Sequence, residues 1–92
     1  MTAHSILSEL DIQDTNPGGF HGEWLASGPV LDIHSPIDGA RLASVTQVTA
    51  EEYDAVVDRA HAAFLQWRTV PPPLRGEVVR ALGERLREKK EA

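Results

Sequence analysis

The stretch that decides the fold is Ala60–Arg80, AHAAFLQWRTVPPPLRGEVVR. Ala60, Ala63, Phe64 and Trp67 recur at helical spacing, so the segment up to Trp67 belongs to an amphipathic helix. Pro71, Pro72 and Pro73 then stop it, because a proline disfavours helical dihedrals in the residue before it. Proline suits the first turn of a helix, so a second helix opens at Pro73 or Leu74. Two consecutive helices joined by a stiff elbow are therefore expected.

Upstream, Thr49-Ala50-Glu51-Glu52 has the spacing of a capping box and fixes the start of the first helix. Loss of the Thr49 cap would cost about 1 kcal/mol. The stripe of that helix is Tyr53, Val56, Val57, Ala60, Ala63, Phe64 and Trp67, and it should end near Arg68 or Thr69. The second helix presents Val78, Val79, Leu82 and Leu86, with Glu77/Arg80 and Arg87/Glu91 as surface pairs. Gly83 lies inside it and costs about 1 kcal/mol relative to alanine, which another backbone approaching closely would explain. The helix is expected to be still running at Ala92, as in a piece of a larger protein.

Before the helices, Ser35-Pro36-Ile37-Asp38-Gly39 is a turn in which proline presets one dihedral and Gly39 supplies a positive φ. Val30–His34 precedes it, and the alternating, β-branched Ala40–Val48 follows it. A short strand around Trp24 completes a hairpin or meander over about 22–48. Asn16-Pro17-Gly18-Gly19 reads as a chain breaker. Residues 1–15 read as a leader in which Ile6, Leu7, Leu10 and Ile12 form a turn or two of helix that needs a body to dock on. The domain expectation is a leader over 1–15 and one partial domain over 16–92, with helices at about 50–68 and 73–92.

Composition narrows the function. Ninety-two residues make one small domain, and the net charge of −5 disfavours nucleic acid or an anionic membrane as partner. The absence of cysteine rules out a disulfide framework, a thiolate zinc site and a cysteine nucleophile within these residues. No apolar run approaches the ~20 residues of a membrane span, and no signal-peptide pattern opens the chain. A cytoplasmic location is the expectation.

Candidate chemistry is thin. His4, His21, His34 and His61 lack metal-pair spacing. Gly18, Gly19 and Gly22 resemble a phosphate loop but have no preceding apolar strand, no lysine and no helix directly after them, so a turn is the better reading. Ser5, Ser8, Ser27, Ser35 and Ser44 lack a nucleophile-elbow context. Glu51 and Glu52 fit a helix start, and Asp54 and Asp58 fit a solvated face. Arg75 could bind an anion near the start of the second helix, or tie the helix pair together, which is the preferred reading. Trp24, Phe64 and Trp67 could form an aromatic ligand box, but core packing is preferred. The expectation is no catalytic, cofactor-binding or metal-binding residue in these 92 positions. A small interaction module presenting its helical hairpin is the alternative to an enzyme segment.

Ala60, Ala63-Phe64, Trp67, Pro71 and Arg75 resemble the A-x-x-A-F-x-x-W-x-x-x-P-x-x-x-R pattern near the N-terminus of the aldehyde dehydrogenase superfamily. Ser35–Gly39 is similar to its N-P-x-[TD]-G turn, with Ser35 in the asparagine place. Gly22-Glu23-Trp24, Gly28, Pro71–Arg80 and the Gly83…Leu86-Arg87-Glu88-Lys89 series resemble the antiquitin-like branch, the piperideine-6-carboxylate or aminoadipate semialdehyde dehydrogenases. Pro72 and Leu74 depart from the usual alanine and polar residue.

The resemblance implies an α/β fold, here the N-terminal part of a nucleotide-binding domain: a β-hairpin followed by two antiparallel α-helices. It also implies a homo-oligomeric parent enzyme that oxidises a small aldehyde to a carboxylic acid with NAD, NADP being possible too. In that family a cysteine thiolate attacks the aldehyde, N–H groups hold the oxyanion, hydride passes to the nicotinamide, and a glutamate activates the hydrolytic water. All of those residues, and the cofactor loop, fall beyond Ala92, so none is carried onto a position here. The chain alone is expected to be inactive and to bind no cofactor.

Overall fold

The computed structural model describes residues 2–92. In chain order it has helix α1 (Ala3–Glu9), strands β1 (Thr15–Pro17), β2 (Gly19–Phe20), β3 (Trp24–Leu25), β4 (Val30–His34) and β5 (Arg41–Thr46), and helices α2 (Ala50–Trp67) and α3 (Pro72–Glu88). The expected α/β arrangement, a hairpin followed by two helices, is present.

The hairpin is β4–β5. Its turn closes with Ser35 N–H donating to Ala40 O (2.8 Å) and Gly39 N–H to Ser35 O (2.8 Å). Gly39 takes φ 75°, the left-handed conformation that the turn demands of it. The alternation read along Ala40–Val48 breaks at one point. Ile33 pairs with Ala43 but His34 pairs with Arg41, so Leu42 is an extra residue in β5. Such a bulge shifts the side-chain phase by one. Arg41 therefore shares a face with Ser44, opposite His34 and Asp32, whereas strict alternation would set it on the other face.

Two expectations are corrected around the hairpin. The Asn16–Gly19 breaker contains a strand, because β1 runs parallel to β5 with Thr15 opposite Ser44 and Pro17 opposite Thr46. Proline is tolerated there because β1 lies at the edge of the β1-β5-β4 sheet and Pro17 is its last residue. The Trp24 strand does not join that sheet. It pairs antiparallel with β2, Phe20 opposite Trp24, in a separate two-stranded ribbon.

The leader forms α1, capped by a reciprocal box between Thr2 and Ser5. It ends in a left-handed residue, Asp11 at φ 61°. Ile12 N–H bonds to Leu7 O (2.9 Å) and Asp11 N–H to Ser8 O (3.1 Å), the paired bonds of a Schellman motif with aspartate in the usual glycine place. Leu7 and Ile12 line one recess with Leu42 of the bulge, which sets the leader beside the hairpin.

The Thr49 capping box forms on α2 as its spacing predicts: Glu52 N–H donates to Thr49 Oγ1 (3.2 Å) and Thr49 N–H to Glu52 Oε1 (2.8 Å). Beyond Glu88 the chain turns rather than continuing as helix to Ala92; Lys89, Lys90 and Ala92 donate three residues back. Glu91 thus lies outside the helix, and Arg87 pairs with Glu84 (3.0 Å) instead.

Burial is concentrated in one place. Ala43 (7% exposed) and Ser44 (2%) are the buried residues among those described, and α2 and α3 contain none. The chain exposes 7363 Å² at 10.1 kDa. A compact monomer of that mass exposes about 5,300 Å², so roughly 2,000 Å² is in excess. The radius of gyration, 16.7 Å, likewise exceeds the ~12 Å of a compact chain of this length.

Candidate functional site

The densest polar constellation is on the sheet, built by the bulge. Ser44 Oγ donates to Asp32 Oδ1 (2.5 Å) across the β4–β5 pair and accepts from Arg41 Nη2 (2.6 Å). Arg41 also donates from Nη1 to Asp14 Oδ1 (2.9 Å), from Nη2 to Asp14 Oδ2 (3.4 Å) and from Nε to Asp32 Oδ1 (3.4 Å). The Ser44 N–H donates to Asp14 O (2.8 Å), and Asn16 Nδ2 to Ser44 O (3.2 Å). The Arg41 guanidinium holds the Asp14 carboxyl below its ordinary range. The Ser44 hydroxyl, and after it Arg41, do the same for Asp32. Arg41 in turn is held more firmly protonated by its two carboxylates.

This cluster is a joint between strands. Every donor in it has an acceptor, and the serine donates to an ionised carboxylate. Nothing in it acts as a base to draw the serine proton towards a nucleophilic state: Asp32 is stabilised as an anion and Arg41 stays charged. Sequence reading missed the cluster because Arg41 and Ser44 fall on opposite faces under strict alternation. The bulge that unites them left no glycine or proline as a signal.

A second joint lies at the start of α2. Glu52 Oε1 accepts from the Ser27 N–H (3.0 Å) and Oγ (3.0 Å) as well as from Thr49 N–H. These bonds, the Thr49 backbone first, depress the Glu52 pKa. Glu52 is thereby a strut between the β3–β4 loop and α2. Glu51, Asp54 and Asp58 stand exposed on the same helix and share no site.

The glycines of the supposed phosphate loop are packing positions. A Cβ on Gly18 would lie 2.8 Å from Thr46 O, one on Gly19 2.5 Å from Val48 Cγ1, and one on Gly28 2.7 Å from Gln47 O. The Gly18 N–H is already given to Thr46 O (2.9 Å). A phosphate cradle needs free, convergent amides, so a dinucleotide pyrophosphate does not fit here. Gly22 (φ 106°) simply turns β2 into β3. Among the described residues no group of three histidine or acidic side chains could hold a metal ion. No helix there is long and apolar enough to cross a membrane.

The aromatic residues do not meet as a core or a box. Trp24 packs on Phe20 with centroids 4.9 Å apart and remains 67% exposed. Phe64 and Trp67 line a shallow groove with Ala60, Ala63 and Val70 and are 51% and 39% exposed. The expected core packing fails because α3, which carries the facing stripe, exposes Val78, Val79, Leu82 and Leu86 instead of covering them. Arg75 is half-buried at the foot of α3, and its Nε is shielded without a hydrogen-bond partner. It makes no ion pair across the helix pair among the described residues, so the tie expected of it is not formed within this chain.

What the geometry describes is two structural joints beside two exposed helix faces. The Aldehyde dehydrogenase family pattern matches residues 24–92. An apple (Malus domestica) protein, "Aldehyde dehydrogenase family 7 member A1", is 44% identical over 94% of the chain and 17% of its own length. The bovine (Bos taurus) "Alpha-aminoadipic semialdehyde dehydrogenase" is 39% identical over 94% of the chain and 16% of its own length. A Caenorhabditis elegans "Putative aldehyde dehydrogenase family 7 member A1 homolog" is 37% identical over 91% of the chain and 16% of its own length. The chain thus spans about one sixth of the length of these curated relatives. The branch suggested by Pro71–Arg80 and the Gly83–Lys89 series is the branch these relatives represent. The chain belongs to the aldehyde dehydrogenase family, and its similarity is to the antiquitin-like branch.

Proposed function

We propose that these 92 residues serve as the N-terminal scaffold of an NAD(P)-dependent aldehyde dehydrogenase acting on aminoadipate semialdehyde, and that they carry none of its catalytic groups. The observation that supports this most directly is the combination of near-complete coverage of the chain with one-sixth coverage of its aminoadipic semialdehyde dehydrogenase relatives. The exposed stripes of α2 and α3 fit the same reading: they are faces for the remainder of a larger domain to cover. The reading extends to a cytoplasmic, homo-oligomeric parent enzyme with a small aldehyde as substrate. NAD is the expected oxidant, held by residues outside this segment.

Split complementation tests it. The 92-residue chain is co-expressed with the apple relative from which the matched N-terminal segment has been removed. Aldehyde-dependent NADH formation is then measured for each part alone and for both together. Turnover by the pair and none by either part is the expected result. Turnover by the 92-residue chain alone would contradict the scaffold reading.

A further inference from the structure

Charge is unevenly spread along this chain. The net charge is −5, yet residues 59–76 hold Arg59, Arg68 and Arg75 and no aspartate or glutamate. The other arginines, Arg41, Arg80, Arg85 and Arg87, each pair with a carboxylate. Arg59, Arg68 and Arg75 pair with none among the described residues.

Two of these three border one apolar face of α2. Ala60 and Ala63 line both the groove that holds Phe64, Trp67 and Val70 and a neighbouring recess with Arg59 in its wall. At the other end Arg68 lies over the Phe64 ring, 5.8 Å from its centroid. Arg75 stands in the first turn of α3, its N–H bonded to the carbonyl of Pro71, which directly follows Val70 of the groove.

Their solvation differs. Arg59 and Arg68 are exposed, so water carries their charge. Arg75 is half-buried, and its Nε is shielded with no acceptor. A shielded charge without a counterion is costly, and the planar guanidinium fork fits a carboxylate. The first turn of α3 has no acidic residue and no side-chain cap, so the positive end of the helix dipole adds to the demand for an anion. A free phosphate is a poor candidate: Pro72 and Pro73 have no N–H, and those of Leu74 and Arg75 already go to Pro71 O (3.0 and 3.1 Å). A carboxylate on a covering surface answers the charge and the apolar groove together.

Resting on the scaffold reading, we infer that the basic rim of the α2 groove docks an acidic and apolar surface on the body of the parent enzyme, with one aspartate or glutamate of that body bound to Arg75. Arg68 and Arg59 meet further acids at the solvent-exposed rim, where charge sets orientation more than affinity.

A chimera tests this: the 92-residue chain replaces the matched N-terminal segment of the apple relative. Carboxylates are labelled with carbodiimide and glycinamide, and the labelled sites are read by mass spectrometry. Arg75→Gln should raise labelling of one aspartate or glutamate outside the 92 residues by about fivefold or more, as for a buried charge pair deprived of one partner. Arg75→Lys keeps the charge and should raise it less. Arg68→Gln, at an exposed position, should raise labelling of a different carboxylate of the body by about twofold, which keeps the test open if Arg75→Gln fails to fold. A folded chimera in which neither Arg75→Gln nor Arg68→Gln frees a carboxylate of the body would overturn the inference and leave the scaffold reading standing. So would an Arg75-dependent dimer of the 92-residue chain in sedimentation, because a second copy would then be the occupant. A chimera that folds without aldehyde-dependent turnover would instead count against the scaffold reading, and with it the inference.

Discussion

The β1-β5-β4 sheet and the α2–α3 helices are built from comparably clear sequence patterns, yet they end in opposite states. In the sheet, close approaches at Gly18 and Gly28, the Ser44 hub and the Glu52 strut consume the polar and steric capacity of the residues. On the helices, Val79 is 64% exposed, Leu82 63% and Leu86 68%, and a Cβ on Gly76 or Gly83 would meet nothing within 4 Å. The difference teaches where the information in each region is addressed. The sheet residues are matched to one another. The helix residues present apolar faces that nothing among the described residues covers.

Glycine substitutions sharpen the contrast most. Gly28→Ala forces a methyl against the Gln47 carbonyl, which the backbone must move to relieve. The expected loss is about 1–3 kcal/mol of stability, measured by urea unfolding. Gly83→Ala in the same chain enters open space inside α3 and should raise helicity by circular dichroism, a gain of up to about 1 kcal/mol. Equal losses at both positions would break the comparison, because Gly83 would then be in contact already.

Acid separates the two regions next. Asp14, Asp32 and Glu52 all have pKa values lowered by partners in the folded chain. A carboxyl of this kind binds fewer protons folded than unfolded. Its contribution is complete above the ordinary carboxyl range and is lost as pH falls through the folded value. Sheet contacts and the Ser27–Glu52 strut should therefore weaken below about pH 4, while no such joint exists on the Val79–Leu86 face to be lost. Amide shifts followed from pH 7 to 3 should move first at Ser27 and Ser44. The smallest effect is expected on α3: Leu82→Ser should change the stability of this chain by less than about 0.5 kcal/mol, since the side chain is already in water.

Much of this architecture was legible in the residues. Thr49 and Glu52, the Pro71–Pro73 elbow and the Ser35–Gly39 turn each have a local physical cause, and the structure places the cap and the turn where that cause predicts while starting α3 at Pro72, ahead of the expected Pro73 or Leu74. The misses are non-local. Asn16–Pro17 looks like a breaker until β5 lies beside it, and the Arg41–Ser44 cluster depends on a bulge with no local sequence mark. The failed core around Phe64 and Trp67 is of another kind. The periodicity correctly identifies an apolar face, but periodicity does not say which molecule or segment will cover it.

Residue-resolved amide protection in the isolated 92-residue chain tests the central claim most directly. Strands β4 and β5 should retain measurable protection around Ala43 and Ser44, whereas α3 from Val78 to Leu86 should exchange close to the rate of an unstructured peptide, as an unsupported helix of this length does. Protection in α3 equal to that of β5 would contradict the account, because the helix face would then be stabilised without the surface it is proposed to meet.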